Sequence, residues 1–395
     1  MIRRIGPVYI QEKNRKANTK QSHSGKYEEK PTLDAETGRK PARGLTQIFD
    51  ESHARRRSVF SHARSVAGII SEVNHSVIIQ FMSITIAVDI GGTHIRVASY
   101  ESNSTTPIAH QRTRSEADQP GIYDRIVQAI ESILPAEKIE AIGIAAPGPL
   151  DPYTGTILAT PNIPEWKNFQ LAPNLSAHFG VPAYLDNDAN MAGLAEWKYG
   201  AGKGHHDLLY FTISTGIGGG VISGDKLLQG FHGMGGELGH MLIDPDGPPC
   251  GCGQHGHMES FCSGPSIVRY VNEQLRTGRS AKSMLQPDPS LTAAQVADAA
   301  RAKDPLALSA FARAGYYLGI AIANYLVIFD PSIVVFGGGV SQVGDLLFKP
   351  FEESLRKHVV HPHYLDKLII AKAALGDDGG LLGALALARM NTRVK

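Results

Sequence analysis

Asp188 stands in the run Leu185-Asp186-Asn187-Asp188-Ala189-Asn190, where an apolar strand pattern gives way to a helical one. A carboxylate at such a point is held in place and exposed at the strand's C-terminal end. It is suited to take a proton from an attacking hydroxyl, and phosphoryl transfer needs little further covalent help. Asp186 and Asp188 are both also able to cap the helix, and spacing alone does not tell a cap from a base. Three glycine turns, Asp89-Ile90-Gly91-Gly92-Thr93, Ser214-Thr215-Gly216-Ile217-Gly218-Gly219-Gly220 and Gly337-Gly338-Gly339, each follow a strand pattern. Bare amides at the first let a phosphate approach, with Asp89 placed for Mg²⁺. Two hydroxyls at the second suit terminal phosphates, and the third leaves room for a flat base or ribose. Each turn also has an ordinary reading as turn chemistry, which three such turns at strand ends make hard to sustain for all of them. No Gly-Lys-Ser/Thr follows the glycines, which excludes a P-loop, and the protein-kinase motif set is absent.

Downstream, His240 closes Gly236-Glu237-Leu238-Gly239-His240, and Cys250-Gly251-Cys252 is followed by His257. Two soft thiolates with two imidazoles make a four-ligand set for tetrahedral Zn²⁺, which favours a structural zinc loop over 240–257 above a loop with two free cysteines. Glu237 and Glu259 flank that loop, where carboxylates are natural acceptors for sugar hydroxyls. Cys262 reads as a small apolar core residue.

These residues need a scaffold, and from Ile84 the apolar pattern alternates between strand and helix. It predicts strands over 84–90, 97–100, 141–146, 182–185, 208–214, 220–223, 332–336 and 368–371. Helices are predicted over 123–134, 189–199, 305–329, 343–358 and 380–390. With 395 residues, 42% of them hydrophobic, the chain has apolar mass for two ordinary domains. Residues 1–81 hold 15 Lys/Arg and 8 Asp/Glu, leaving 24 and 30 for residues 82–395. The mildly acidic body argues against a nucleic-acid-binding core. Three cysteines confined to 250–262 fit a reducing compartment, with the cytoplasm as the default. The most apolar run, between His75 and Asp89, falls short of the ~20 residues of a spanning helix, so no membrane crossing is expected.

Residues 1–44 are polar without periodicity and are expected to be disordered, whereas 45–70 carry loosely helical apolar spacing around Arg55-Arg56-Arg57. Arg3-Arg4 lack an apolar region behind them, so neither a secretory nor a twin-arginine signal is expected. Residues 1–81 thus read as a basic, mostly disordered extension, as a targeting or interaction segment, or as sequence upstream of a start at Met82.

Five motifs occur in order: Asp-Ile-Gly-Gly-Thr at 89–93, Pro-Asn-Ile-Pro-Glu-Trp at 161–166, Asn-Asp-Ala-Asn at 187–190, Gly-Glu-Leu-Gly-His at 236–240 with Cys-Gly-Cys-Gly at 250–253, and Gly-Gly-Gly-Val-Ser at 337–341. On these motifs the chain resembles the ROK family of sugar kinases and sugar-responsive repressors, from residue 84 to about 390. The resemblance implies an α/β protein with the actin-like, hexokinase-type (ribonuclease H-like) ATPase fold, two α/β domains around a cleft. Here these are 82–200 and 201–379, with a closing helix at 380–392 packed back on the first. It implies transfer of the γ-phosphate of ATP to a hexose hydroxyl, usually O6. Glucose is the expected acceptor and N-acetylmannosamine, N-acetylglucosamine, fructose and allose are the alternatives.

By the same resemblance Asp188 matches the family's base, and Asn187, Glu237, His240 and Glu259 match hexose ligands, with Asn162 a further sugar contact. Asp89, Gly91, Gly92 and Thr93 match a phosphate and magnesium loop, Thr215 and Gly216 a second phosphate loop, and Gly338 and Gly339 the adenosine motif. The family's zinc is structural, and His240 is expected to meet zinc and sugar through different nitrogens. Where the family's loop has a third cysteine this chain has His257, giving the ligand set His240, Cys250, Cys252 and His257. Relatives are usually homodimers or homotetramers. Repressors of the family carry an N-terminal winged helix-turn-helix of about eighty residues; the length of 1–81 fits one, but its lack of apolar periodicity does not. Neither nucleic acid nor a membrane is an expected partner.

Overall fold

The computed structural model describes residues 3–4, 83–115, 121–135, 138–160, 163–278 and 282–392; the expectations for the rest of 1–82, and the sugar contact expected of Asn162, lie outside the described residues. Within 83–392 the described residues form two large sheets built to one plan, and a separate two-stranded ribbon of Leu150–Asp151 with Thr156–Ile157. In the first, β1 (Ile84–Ile90) is a run of β-branched and small residues buried along its whole length. It pairs antiparallel with β2 (His94–Glu101), which pairs with the edge strand β3 (Ala109–Arg114). After α1 (Ile122–Glu131), β4 (Ile139–Ala146) joins β1 in parallel; after α2 (Leu171–Phe179), β5 (Ala183–Asn187) joins β4 in parallel, giving the order β3-β2-β1-β4-β5.

The second sheet follows α3 (Asp188–Tyr199). The strand β6 (Leu208–Ile213) pairs antiparallel with β7 (Ile217–Ser223). A helical layer of α4 (Glu259–Cys262), α5 (Gly264–Arg276), α6 (Ala293–Arg301) and α7 (Pro305–Phe329) comes next. Then β8 (Ile333–Gly337) joins β6 in parallel, and after α8 (Asp345–His358), β9 (Ile369–Lys372) joins β8 in parallel. The chain closes with α9 (Gly379–Thr392). Lys226–Leu227 extends one edge of this sheet, and Arg3–Arg4 pairs antiparallel with Ile369–Ile370 at the other.

Two differences from the expected elements bear on the site. The strand after the first turn begins at His94, three residues before the predicted start, because Ile95 pairs with Ile90 directly across the tight turn. The second turn is shorter than its glycines suggest: β7 resumes at Ile217, and Gly218, Gly219 and Gly220 lie inside it. They are bare because neighbours press on the strand; a Cβ on Gly219 would fall 2.6 Å from the Leu238 side chain, and one on Gly218 2.6 Å from Ala189 Cβ. The helix α7, at the residues predicted for it, is long and apolar enough by composition to cross a membrane. Its residues from Leu306 to Leu326 fill the core between the second sheet and α8, which accounts for its hydrophobicity without lipid.

Two helices hold the sheets together. α9 packs on β1 and β4, α3 packs on β6 and β7, and the two helices pack on each other within one shared cluster. The approach is close enough to exclude any side chain at two glycines. A Cβ on Gly143 of β4 would lie 1.9 Å from the Ala384 carbonyl oxygen, and one on Gly383 of α9 1.9 Å from that of Met191. Backbone cannot swing aside as a side chain can. Gly383→Ala is therefore expected to cost about 1–3 kcal/mol of stability, read as a lower thermal midpoint; an unchanged midpoint would contradict this helix contact.

Candidate active site

Parallel strands point their C-terminal ends one way, and in α/β sheets ligands bind there. Six such ends converge on one cleft of about 1050 Å³, at the upper end of the usual size for a ligand site. β1 brings Asp89, β4 leads to Gly148 and Pro149, and β5 to Asn187 and Asp188. From the second sheet, β6 leads to Ser214, Thr215 and Gly216, β8 to Gly337, Gly338 and Gly339, and β9 to Ala373 and Gly376.

The roles of Asp186, Asn187 and Asp188 separate cleanly. Asn187 caps α3, its side chain accepting from the amides of Ala189 at 2.9 Å and Asn190 at 3.4 Å. Asp186 is fully buried and turned inward, accepting from the Asn187 amide (2.7 Å), Asn190 Nδ2 (3.0 Å) and Gln229 Nε2 (2.6 Å). Asp188 is left open to the cleft, with one oxygen 2.8 Å from the Ala189 amide. Protein crowds it on its other sides. That crowding, with the negative charges of Asp89 and Glu237 adding to it, pushes its carboxyl up to about 6.

Glu237 and His240 reach the cleft from a turn bolted at both ends. The Leu238 carbonyl accepts from the buried Tyr325 hydroxyl, and a Cβ on Gly239 would lie 2.0 Å from the Ile217 carbonyl oxygen. Glu259, at the start of α4, also lines the cleft, with Oε2 accepting from the Ile217 amide at 2.9 Å and Oε1 3.4 Å from Cys250 Sγ. It thus joins the phosphate-type turn to the cysteine loop. At Gly338 the backbone has φ +82° and crosses β6 so closely that a Cβ would meet Ile213 backbone atoms at 2.4–2.7 Å. Only glycine fits there.

Of the residues singled out in the sequence, Asp89, Asn187, Asp188, Thr215, Gly216, Glu237, His240, Glu259, Gly338 and Gly339 all line this one cleft. Gly91, Gly92 and Thr93 do not: they form the turn beyond Asp89, with Gly92 and Thr93 exposed. The residue missed is Arg96. It lines the cleft and binds Asp89 Oδ2 through Nε at 2.9 Å and through Nη2. The signal was in the hairpin register, which sets Arg96 directly opposite Asp89. Burial nonetheless raises the Asp89 carboxyl above its ordinary value, with Arg96 opposing the rise. Both arginine contacts fall on Oδ2, so Oδ1 is the oxygen outside them; a Cβ on Gly380 would stand 2.7 Å from each oxygen.

His240, Cys250, Cys252 and His257 offer four ligand atoms within 4.8 Å of one another. The Sγ of Cys250 is 3.6 Å from His240 Nδ1, and that of Cys252 is 3.3 Å from His257 Nδ1. Bond lengths of about 2.0–2.3 Å in a tetrahedron put neighbouring ligand atoms about 3.5 Å apart, so the set fits Zn²⁺. His240 turns Nδ1 to Cys250 and also lines the cleft. Cys262 is buried in the core, apart from this group, with its thiol 3.2 Å from the Ala314 carbonyl.

A second cavity of about 880 Å³ adjoins the first, sharing Ser214, Thr215 and Gly339 with it. Pro265, Val268, Leu291 and Val340 give it apolar walls, and Arg269 and Arg276 are the cations that line it.

The family model for ROK proteins matches residues 85–391. The glucokinase of Streptomyces coelicolor is 34% identical over 314 residues, covering 78% of this chain and 98% of the relative. The crystal structure of a ROK glucokinase from Streptomyces griseus with glucose and AMPPNP superposes with a TM-score of 0.63 at 34% identity, over 78% of this chain and all (100%) of that one. The DNA-binding transcriptional repressor Mlc of Escherichia coli is 30% identical over 272 residues, 68% of this chain and 66% of its own length.

Proposed function

The chain belongs to the ROK family, and from that premise we propose that it transfers the γ-phosphate of ATP to the 6-hydroxyl of glucose with Asp188 as base. The observation that carries this reading is the division of labour at the start of α3: Asn187 does the capping and Asp186 the internal bracing, which leaves Asp188 open to the cleft. Asn187, Glu237, His240 and Glu259 would then receive the hexose hydroxyls. Thr215 and Gly216 would meet the phosphates, and Gly338 and Gly339 the adenosine, whose base would lie toward the adjoining apolar cavity. Mg²⁺ held by the phosphates would neutralise charge on the transferring group. Asp89 Oδ1 is the atom of this chain placed to meet it or one of its waters, and Arg96 keeps that carboxylate in place.

The relation to repressors leaves a second reading. Coverage supports the kinase, since the match spans nearly all of a glucokinase but two thirds of Mlc. Binding of duplex DNA by the full chain would favour the repressor. As part of the same reading we divide the chain into lobes 82–200 and 201–379 that close over the sugar, excluding water. Thiolate ligands for zinc suit a cytoplasmic setting.

The test is coupled ADP release across glucose, mannose, fructose, allose and the N-acetylhexosamines. Glucose is expected to give the highest kcat/KM, and ADP release indifferent to any sugar would defeat the reading. The same assay has a defined pH profile. A base must be ionised to act, so with a carboxyl near 6 in the free protein, kcat/KM should fall below about pH 6 by up to tenfold per unit. A rate that stays flat down to pH 4.5 would remove Asp188 from the base's role.

A further inference from the structure

Glu196 lies on α3 eight residues beyond Asp188 and is 2% exposed. Its Oε2 accepts from the Ala201 amide at 2.8 Å, and its Oε1 accepts from the amides of both Ala374 and Leu375 at 2.8 Å. One buried carboxylate thus binds three main-chain N–H groups on two segments. The first segment leaves α3. The second, 373–378, carries the chain from β9 in the second sheet to α9, which packs on the first. The fold makes room for this contact: a Cβ on Gly200 would fall 2.1 Å from Oε2.

The same segment supplies cleft wall. Ala373, Gly376, Asp377, Gly379 and Gly380 line the cleft, and Gly380 abuts the Asp89 carboxylate. α3 therefore holds Asp188 at its first turn and, through Glu196 in its last, the strand-to-helix passage that bounds the nucleotide side. We propose that Glu196 is a positioning residue for phosphoryl transfer, fixing 373–380 in the same frame as Asp188 so that the phosphate-binding wall and the base arrive together when the lobes close. This rests on the phosphoryl-transfer reading above. Nothing in a local helix cap requires the two distant amides, which come from 178 and 179 residues away.

The test compares full-length wild type with Glu196→Gln and with Gly200→Ala, which displaces the carboxylate while keeping it in the chain. Glutamine retains one acceptor oxygen and sets an N–H group against the amides on the other side. For each protein, kcat, the equilibrium Kd for glucose alone, the thermal midpoint and amide hydrogen exchange over 373–378 are measured. Both variants are expected to exchange faster at 373–378 and to lose about tenfold to hundredfold in kcat, the factor that follows from one charge-assisted hydrogen bond missing in the state that turns over. Glucose Kd should stay within about threefold, because the sugar ligands are elsewhere. Turnover within twofold of wild type in both variants would overturn the proposal, as would kcat and glucose binding falling together with loss of folded protein. If wild type releases no ADP with any hexose, the kinase reading fails first and takes this one with it.

Discussion

Replacing Asp188 by asparagine is expected to lower kcat by about three orders of magnitude, in the middle of the range for removal of a positioned general base. The glucose Kd should change by less than about tenfold. Asparagine keeps the shape and can still accept the Ala189 amide that Asp188 accepts at 2.8 Å, but it cannot take a proton. The fold should not suffer. Crowding and the charges of Asp89 and Glu237 hold the Asp188 carboxyl at about 6, above its ordinary 3.8, so its ionised form opposes folding. The sign follows: the folded state binds this proton more tightly than the unfolded chain, and stability contributed here falls as pH rises from about 4 through 6. At pH 7 a neutral asparagine relieves that cost, and the thermal midpoint should hold or rise. Turnover lost together with stability would mean that the residue is structural. Unchanged turnover would mean that some other group accepts the proton.

The second large effect concerns the cysteine loop. Purified protein is expected to carry about one equivalent of zinc, and Cys250→Ser or His257→Ala should abolish it. The hexose KM should rise about tenfold to hundredfold, the usual result of losing support behind a ligand. The route is visible in the contacts. Glu259 stands between Cys250 Sγ and the Ile217 amide, and His240 faces Cys250 with Nδ1. Both reach the cleft, so a loosened loop would loosen two of the proposed sugar contacts at once. Burial pushes the Cys250 thiol up to about 11 when only protons compete for it. A cation is therefore needed to hold it as thiolate at neutral pH, and binding releases protons. His257→Cys should retain the metal, because thiolate and imidazole are both good zinc ligands at this spacing. Zinc below about 0.1 equivalent in protein prepared without chelator would show that the four side chains share a loop without sharing an ion.

Much of this site is legible in the sequence because its parts are local. A strand that ends in glycines, or in Asn-Asp before a helix, announces its own turn, and residues so identified, Asp89, Asp188, Thr215, Gly216, Gly338 and Gly339 among them, line a single cleft. The failures are long-range. Asp186 and Asp188 are equivalent by spacing, and what separates them is Gln229, whose amide reaches Asp186 from 43 positions away. Gly218, Gly219 and Gly220 look like turn residues because glycine has the same appearance whether it turns the chain or admits a neighbour; Leu238 and Ala189 decide the matter. Arg96 was within reach, since a strand running straight into the turn would have placed it opposite Asp89. So was α6, where Thr292 and Gln295 form a capping box whose spacing is plain in the sequence. The helices α2 and α5 were harder. α5 opens on Gly264-Pro265, residues that read as a loop until Ser263 is seen capping them.

That two sheets follow one plan also explains why the site sits where it does. Each contributes a hairpin and two parallel partners, so three strand ends from each face a common gap, and α3 and α9 cross-brace the halves. Chemistry then needs few residues. On the proposed reading, bare amides and a magnesium ion would manage charge on the phosphates, and one carboxylate would manage a proton.

The most direct measurement is of what becomes of the phosphate. Glucose and ATP are incubated with wild type and with Asp188→Asn, and ADP and sugar phosphate are quantified together by phosphorus NMR. Wild type is predicted to form glucose 6-phosphate and ADP in equal amounts, and the asparagine variant to form neither at a comparable rate. Inorganic phosphate in place of sugar phosphate, or equal yields from the two proteins, would contradict a cleft in which Asp188 activates a bound hexose.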